Sequence, residues 1–233
     1  RLHRFVHRSS LNITSPTCAG KYSQNFYGGD LAGVTQKINE GYFDNLGVTV
    51  IYLNPIFESP SNHKYDTANY LKIDPDFGTK ADWDAMVAAA SAHNMKLVLD
   101  GVFNHVSSDS KYFDRYHRYD AAGNITAPNG GSDDDSGACE AGSSAFYSWF
   151  YFPATGNAGM DGSPPSVVVY CANGAGNANQ SYEAWYGYSS LPKLQATSTQ
   201  VRTLIYSNGT SSVGPYWVNQ GASGWRFDVG GDV

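Results

Sequence analysis

The sequence predicts an α/β chain in which βα units build a parallel sheet, interrupted by one long insertion. Three observations predict it. Apolar stripes at helical spacing alternate with short β-rich runs, in the order helix, strand, helix, strand, helix, strand. The β-rich runs are continuously apolar rather than alternating, the pattern of strands buried on both faces. Their first residues, Val48, Lys96 and Gly224, lie 48 and then 128 positions apart, whereas a βα unit needs only about 30 residues. The second interval therefore carries an insertion, placed at about 106–190.

Taken in order, residues 1–25 show no period and read as a loop. Asp30 is a helix cap ahead of Leu31, Val34, Ile38 and Tyr42, a stripe that Gly47 ends. Val48 to Pro55 is the first strand. Thr79 with Asp82 three residues on forms a capping box before a helix carrying Trp83, Met86, Val87 and Ala90 on one side. Lys96 to Asp100 is the second strand. Gly214-Pro215 opens a short helix that Gly221 closes, and Gly224 to Val229 is the third strand. The insertion is rich in Gly, Ser, Asn, Asp and Tyr. Its aromatic residues, among them Phe146, Trp149, Phe150 and Trp185, make it a small functional subdomain rather than a structureless loop. Three stretches follow: 1–105 and 191–233 belong to the sheet domain and 106–190 to the insert.

Composition narrows the function. A net charge of −6 spread thinly over 233 residues argues against a phosphate-backbone partner, which needs clustered Lys and Arg. No apolar run approaches the roughly 18 residues of a membrane helix. Seventeen Tyr, eleven Phe and five Trp beside few charges suit stacking on neutral polar ligands, sugars first, although aromatic residues also fill ordinary cores. Of three cysteines, Cys139 and Cys171 share the loop-rich stretch and are the natural disulfide pair, with Cys18 left over. A disulfide implies an extracellular, oxidising setting. Arg1 is neither an initiator Met nor the start of a signal peptide, and Val233 lies inside an apparent strand, so both ends read as cut.

The sharpest chemical signal is polar residues at strand ends. Asp100-Gly-Val-Phe-Asn104-His105 places an acid, an amide and an imidazole where a buried strand opens into a loop. Arg226 and Asp228 are two apart on a strand, so both side chains leave by one face. An arginine beside a carboxylate keeps it ionised, which is what a glycosidase nucleophile requires. The same pair reads equally well as a structural ion pair at a sheet rim. Tyr65, in His63-Lys64-Tyr65-Asp66, offers a stacking platform just beyond the first strand, or is simply an incidental surface ring. There is no Gly-x-Ser-x-Gly elbow, phosphate-binding loop or His-Glu-x-x-His.

Together these residues resemble the α-amylase family of glycoside hydrolases, from about Phe26 to Val233. Asp100-Gly-Val-Phe-Asn-His105 and Gly224-Trp-Arg-Phe-Asp228 match two of its hallmark segments. Leu191-Pro-Lys-Leu194 is similar to a short segment of its neopullulanase-like members. The resemblance implies a (β/α)8 TIM barrel, with about strands two to four present and the insertion following the third. It implies cleavage of α-glucosidic bonds in starch, pullulan or maltodextrins with retention. Alternatives are transglycosylation on the same scaffold and a sugar-binding relative that has lost catalysis. Asp228 matches the nucleophile, Arg226 the arginine that orients it, and Asp100 the acid bonded to that arginine. His105, His63 and Tyr65 match residues that contact the sugar being cleaved, Tyr65 by stacking.

No cofactor is implied for the chemistry. Asn104 matches a residue that helps hold a structural calcium in many amylases, but Lys193 stands where those carry an acidic ligand, so an ammonium replaces the cation there. Gly28-Gly29-Asp30 resembles part of another calcium loop whose upstream acids are missing here. The acid/base Glu that the resemblance calls for falls beyond Val233, so residues 1–233 alone are expected to be inactive.

Overall fold

The computed structural model describes residues 28–126, 135–152, 169–171 and 181–231. The expected loop at 1–25, with Cys18, lies outside them. Helix α1 (Leu31–Asn39) begins where Asp30 accepts the Gly33 N–H at 2.7 Å, satisfying an amide that the first turn leaves orphaned. The helix predicted to run on to Gly47 is instead two. Gly41 adopts φ +70°, a left-handed conformation that a side chain resists, and α2 (Tyr42–Asn45) starts afresh from it. Leu31 and Ile38 are buried as predicted, but Tyr42 is exposed.

Strand β1 (Val50–Leu53) follows, then the short pair β2 (Phe57–Glu58) and β3 (Asn69–Ile73). Helix α3 (Lys80–Ala92) opens on the predicted capping box: Thr79 accepts the Asp82 amide while Asp82 accepts the Thr79 amide. Strand β4 (Lys96–Gly101) comes next. The insertion contributes β5 (Val169–Tyr170) and β6 (Ser181–Tyr182), an antiparallel pair. Helices α4 (Thr199–Arg202) and α5 (Val213–Asn219) lead to β7 (Gly224–Phe227).

Two compact units are formed. Among the described residues the first comprises 28–65, Tyr70–Gly101 and Gly209–Arg226. Its sheet has the order β1-β4-β7, and β4 lies parallel to β1 with Tyr52 opposite Val98. Only the central strand is covered as predicted: Leu97, Leu99 and Asp100 are buried, whereas Val50 and Tyr52 on the edge strand β1 are 50% and 44% exposed. An outer strand has a partner on one side only, so its apolar run is not enclosed.

The core of this unit gathers Trp83 and Met86 of α3 with Trp217 of α5, Phe57 and Tyr70. The indole N–H groups of Trp83 and Trp217 donate to the carbonyls of Gln220 and Tyr70, both at 2.8 Å, so no polar atom of either ring is left unbonded. Gly221 closes α5 at φ +100°. A Cβ there would stand 2.4 Å from Val87 Cγ1, so α5 approaches α3 closely only because this residue is glycine.

The second unit comprises Asp66–Asn69, the described part of Val102–Asn208, and residues 227–231. It extends on both sides of the 106–190 stretch. Regular structure is sparse, and an aromatic core does the packing. Phe113 is wholly buried among Phe150, Tyr182 and Phe152, with ring centres 4.8, 4.6 and 6.1 Å away. Glu140 is also fully buried, accepting the Gly137 amide at 2.6 Å and the Ser136 hydroxyl at 3.3 Å. Cys139, beside it, is joined to Cys171 by a disulfide. Among the described residues no helix is long and apolar enough to cross a membrane.

Candidate active site

In the first unit, Asp100 is the centre of a polar cluster at the end of β4. Its side chain is completely buried, yet three donors reach it. Arg226 of β7 approaches both carboxylate oxygens, at 3.1 and 3.2 Å. The hydroxyls of Tyr52 and Tyr65 both donate to Oδ2, Tyr65 at 3.1 Å. A buried carboxylate is tolerable only when paired and hydrogen-bonded in this way. The guanidinium is half exposed, so it holds Asp100 while still facing solvent. His63 lies against Tyr65 with ring centres 6.3 Å apart, and its Nδ1 accepts the Tyr65 amide at 3.1 Å.

Sequence reasoning missed Tyr52. Register explains its place: it sits opposite Val98, and Asp100 is two residues further along the same face of β4. A tyrosine is long enough to span that diagonal. Burial and the hydrogen bond to Asp100 push the Tyr52 hydroxyl well above the usual tyrosine range, which keeps it a donor.

The second unit holds Asn104 and His105, both buried, with the Asn104 amide 3.1 Å from His105 Nδ1. The Asn104 carbonyl accepts the Leu194 amide, and His105 pairs with Lys193 across a single β-bridge. Lys193 is buried too, its ammonium 3.5 Å from Glu183. Lys193 thus has a carboxylate partner of its own in Glu183. Asp30 has turned its carboxylate to capping α1. Among the described residues no group of three or more His, Cys, Asp or Glu could hold a metal ion.

Asp228 corrects one expectation. The third strand stops at Phe227, and Asp228 lies in the following turn, where Val229 takes φ +50°. The strand thus ends just before Asp228, so strand alternation by itself does not fix the face that its side chain takes.

With the cluster in place, comparison with known proteins decides the kinship. The family described as "Alpha amylase, catalytic domain" matches residues 5–233. The chain belongs to this family. The (β/α)8 barrel of the alpha-amylase catalytic domain is the fold to which its sheet and helices belong. The amylopullulanase of Thermoanaerobacterium saccharolyticum is 38% identical over 225 residues, covering 92% of this chain and 15% of that protein. Neopullulanase 2 of Thermoactinomyces vulgaris is 31% identical over 211 residues, covering 90% and 28%. Among solved structures, the cyclic α-maltosyl-(1→6)-maltose hydrolase of Arthrobacter globiformis superposes with a TM-score of 0.63 at 28% identity, over 90% of this chain and 37% of that one. The type III pullulan hydrolase of Thermococcus kodakarensis gives 0.61 at 29% identity, over 89% and 28%. The chain spans less than two fifths of the length of each of these relatives.

Proposed function

We propose that the protein of which this alpha-amylase-family chain forms part hydrolyses α-glucosidic bonds of starch, pullulan or maltodextrins with retention of configuration. The observation that carries this is the buried Asp100 held by Arg226, Tyr52 and Tyr65, with Asp228 two residues beyond Arg226. In this reading Asp228 attacks the anomeric carbon and forms a glycosyl-enzyme bond as the glycosidic oxygen leaves. Arg226, fixed by Asp100, orients it. Tyr65, His63 and His105 contact the sugar being cleaved. Retention needs a second carboxyl group about 5–5.5 Å from the nucleophile, which protonates the leaving oxygen and then activates water. The family resemblance assigns that role to a Glu beyond Val233. A mere sugar binder would have no need of Asp228, Arg226 and Asp100 together.

The test is the stereochemistry of the first product. Proton NMR of maltoheptaose hydrolysis by the full-length protein is expected to show the α-anomer before mutarotation. Initial release of the β-anomer, or no new reducing ends from maltodextrin or pullulan, would overturn the reading. The disulfide supports an extracellular setting.

We also propose that Asn104 and Asp30 hold no calcium, because Lys193 with Glu183 replaces the cation beside Asn104 and Asp30 caps a helix. Chelating calcium is then expected to leave the melting temperature and activity of the full-length protein unchanged. A large loss on chelation, of the same size in Lys193→Ala, would show that an ion is bound there after all.

A further inference from the structure

We propose that Lys64 is a positioning residue: its buried ammonium, held between Asp74 and Asp76, fixes the loop on which His63 and Tyr65 meet the sugar. The inference rests on the function proposed above. It starts from two features of Lys64 that oppose stability. Its backbone takes φ 65°, the left-handed region that suits glycine or asparagine better than a long side chain. Its side chain is only 5% exposed, although lysine is among the residues least often buried. A buried ion pair adds little net stability over a well-packed apolar side chain of similar volume. Stability therefore does not account for a lysine here, and a strained residue beside a site points to function.

The loop has no helix or strand of its own. Residues 59–68 join β2 to β3 without regular structure, so side chains set their course. The Lys64 ammonium stands 2.9 Å from Asp74 Oδ2 and 2.9 Å from Asp76 Oδ2, and donates to the Ser59 carbonyl at 3.4 Å. It also lies 5.9 Å from the centre of the Phe77 ring. Asp74 in turn accepts the Ser59 amide at 3.0 Å and the Asp76 amide at 2.9 Å, while the Lys64 amide donates to the Ser61 hydroxyl at 3.2 Å. One cation thus ties the start of the loop, its middle and the turn after β3 together. That turn is itself anchored. The Asp74 amide donates to the Ile56 carbonyl at 2.9 Å, and the Phe77 carbonyl accepts the Leu31 amide, the first of α1, at 3.0 Å.

The clamp decides where its two neighbours go. With Lys64 turned inward, His63 is exposed on one side of it, and Tyr65 on the other is half-buried with its hydroxyl on Asp100. The His63 and Tyr65 rings then lie at 31° to each other, with the Tyr65 amide bonded to His63 Nδ1. The ammonium acts on the sugar through these two rings.

The experiment uses the full-length protein. Lys64→Met keeps the length of the side chain and removes its charge. Its kcat/KM for maltoheptaose, measured well below the melting transition, is expected to fall about 10²-fold, the cost of slightly displacing groups that position a substrate. Because Lys64→Met leaves Asp74 buried without its cation, Asp76→Asn is made beside it. That side chain is 47% exposed, and its loss leaves the Lys64–Asp74 pair intact. Asp76→Asn is expected to lower kcat/KM roughly tenfold with an unchanged melting temperature. Both substitutions are repeated with His63 and Tyr65 changed to alanine. There each should alter kcat/KM by less than about twofold, since a group acting through two rings has nothing to act through once they are gone. Calorimetric titration of maltoheptaose into an Asp228→Asn background should show weaker binding when Lys64→Met is added. Unchanged kcat/KM in both variants, or equal losses with and without the two rings, would overturn the proposal. So would a lower melting temperature with kcat/KM intact, which makes Lys64 a structural ion-pair partner only. Should Lys64→Met not fold, Asp76→Asn decides by the same outcomes. If the parent cleaves no maltoheptaose but its binding still weakens with Lys64→Met, the proposed hydrolysis fails and the role of Lys64 stands.

Discussion

Asp228→Asn in the full-length protein is expected to lower kcat on maltodextrins by on the order of 10⁴-fold, with little change in KM or melting temperature. The substitution keeps the shape of the side chain and removes the charge that attacks the anomeric carbon, and losing a nucleophile costs turnover rather than ground-state binding. Asp228 occupies a turn after β7, so the fold does not depend on it as a core element. A slow 2-fluoro or 5-fluoro glucosyl substrate should add one sugar mass to the peptide carrying Asp228 in the parent protein and none in the variant. Near-normal turnover, or labelling at another residue, would move the nucleophile elsewhere.

Asp100→Asn should cost about 10²–10³-fold in kcat, the usual penalty for disturbing a positioned charge in an active site. All three groups around the carboxylate are donors: the Arg226 guanidinium and the hydroxyls of Tyr52 and Tyr65. An amide puts a fourth donor among them and leaves Arg226 without its ion-pair partner. The lost charge-assisted hydrogen bonds should also lower stability by about 2 kcal/mol. A positioning role and a purely structural role for Asp100 separate here. If Asp100 positions the catalytic arginine, kcat falls while KM for maltoheptaose holds. A fall in melting temperature with kcat intact would make the Asp100–Arg226 pair a structural ion pair and nothing more.

Much of the local architecture was legible because its causes are local. The Thr79–Asp82 box and the Asp30 cap satisfy orphaned helix amides within a few residues of themselves, so a short pattern identifies them. The insertion was visible as an interval too long for one βα unit, and its aromatic residues do pack around Phe113. Two boundaries were misjudged for equally local reasons. An apolar stripe continuing through Tyr42 concealed the left-handed break at Gly41, and apolar residues on either side of Asp228, Phe227 and Val229, concealed the end of β7 at Phe227.

The sequence by itself determined the kind of elements, the strand end that carries Asp100, Asn104 and His105, and the kinship carried by its motifs. Only the tertiary structure decided which side chains meet at that end. Tyr52 and Arg226 lie 48 and 126 residues from Asp100 along the chain, and they reach it because strand order β1-β4-β7 and the Tyr52–Val98 register bring three separate segments to one carboxylate. Helix caps and turns are written in neighbouring residues. Strand pairing is set by burial across the whole sheet, and no short pattern records it.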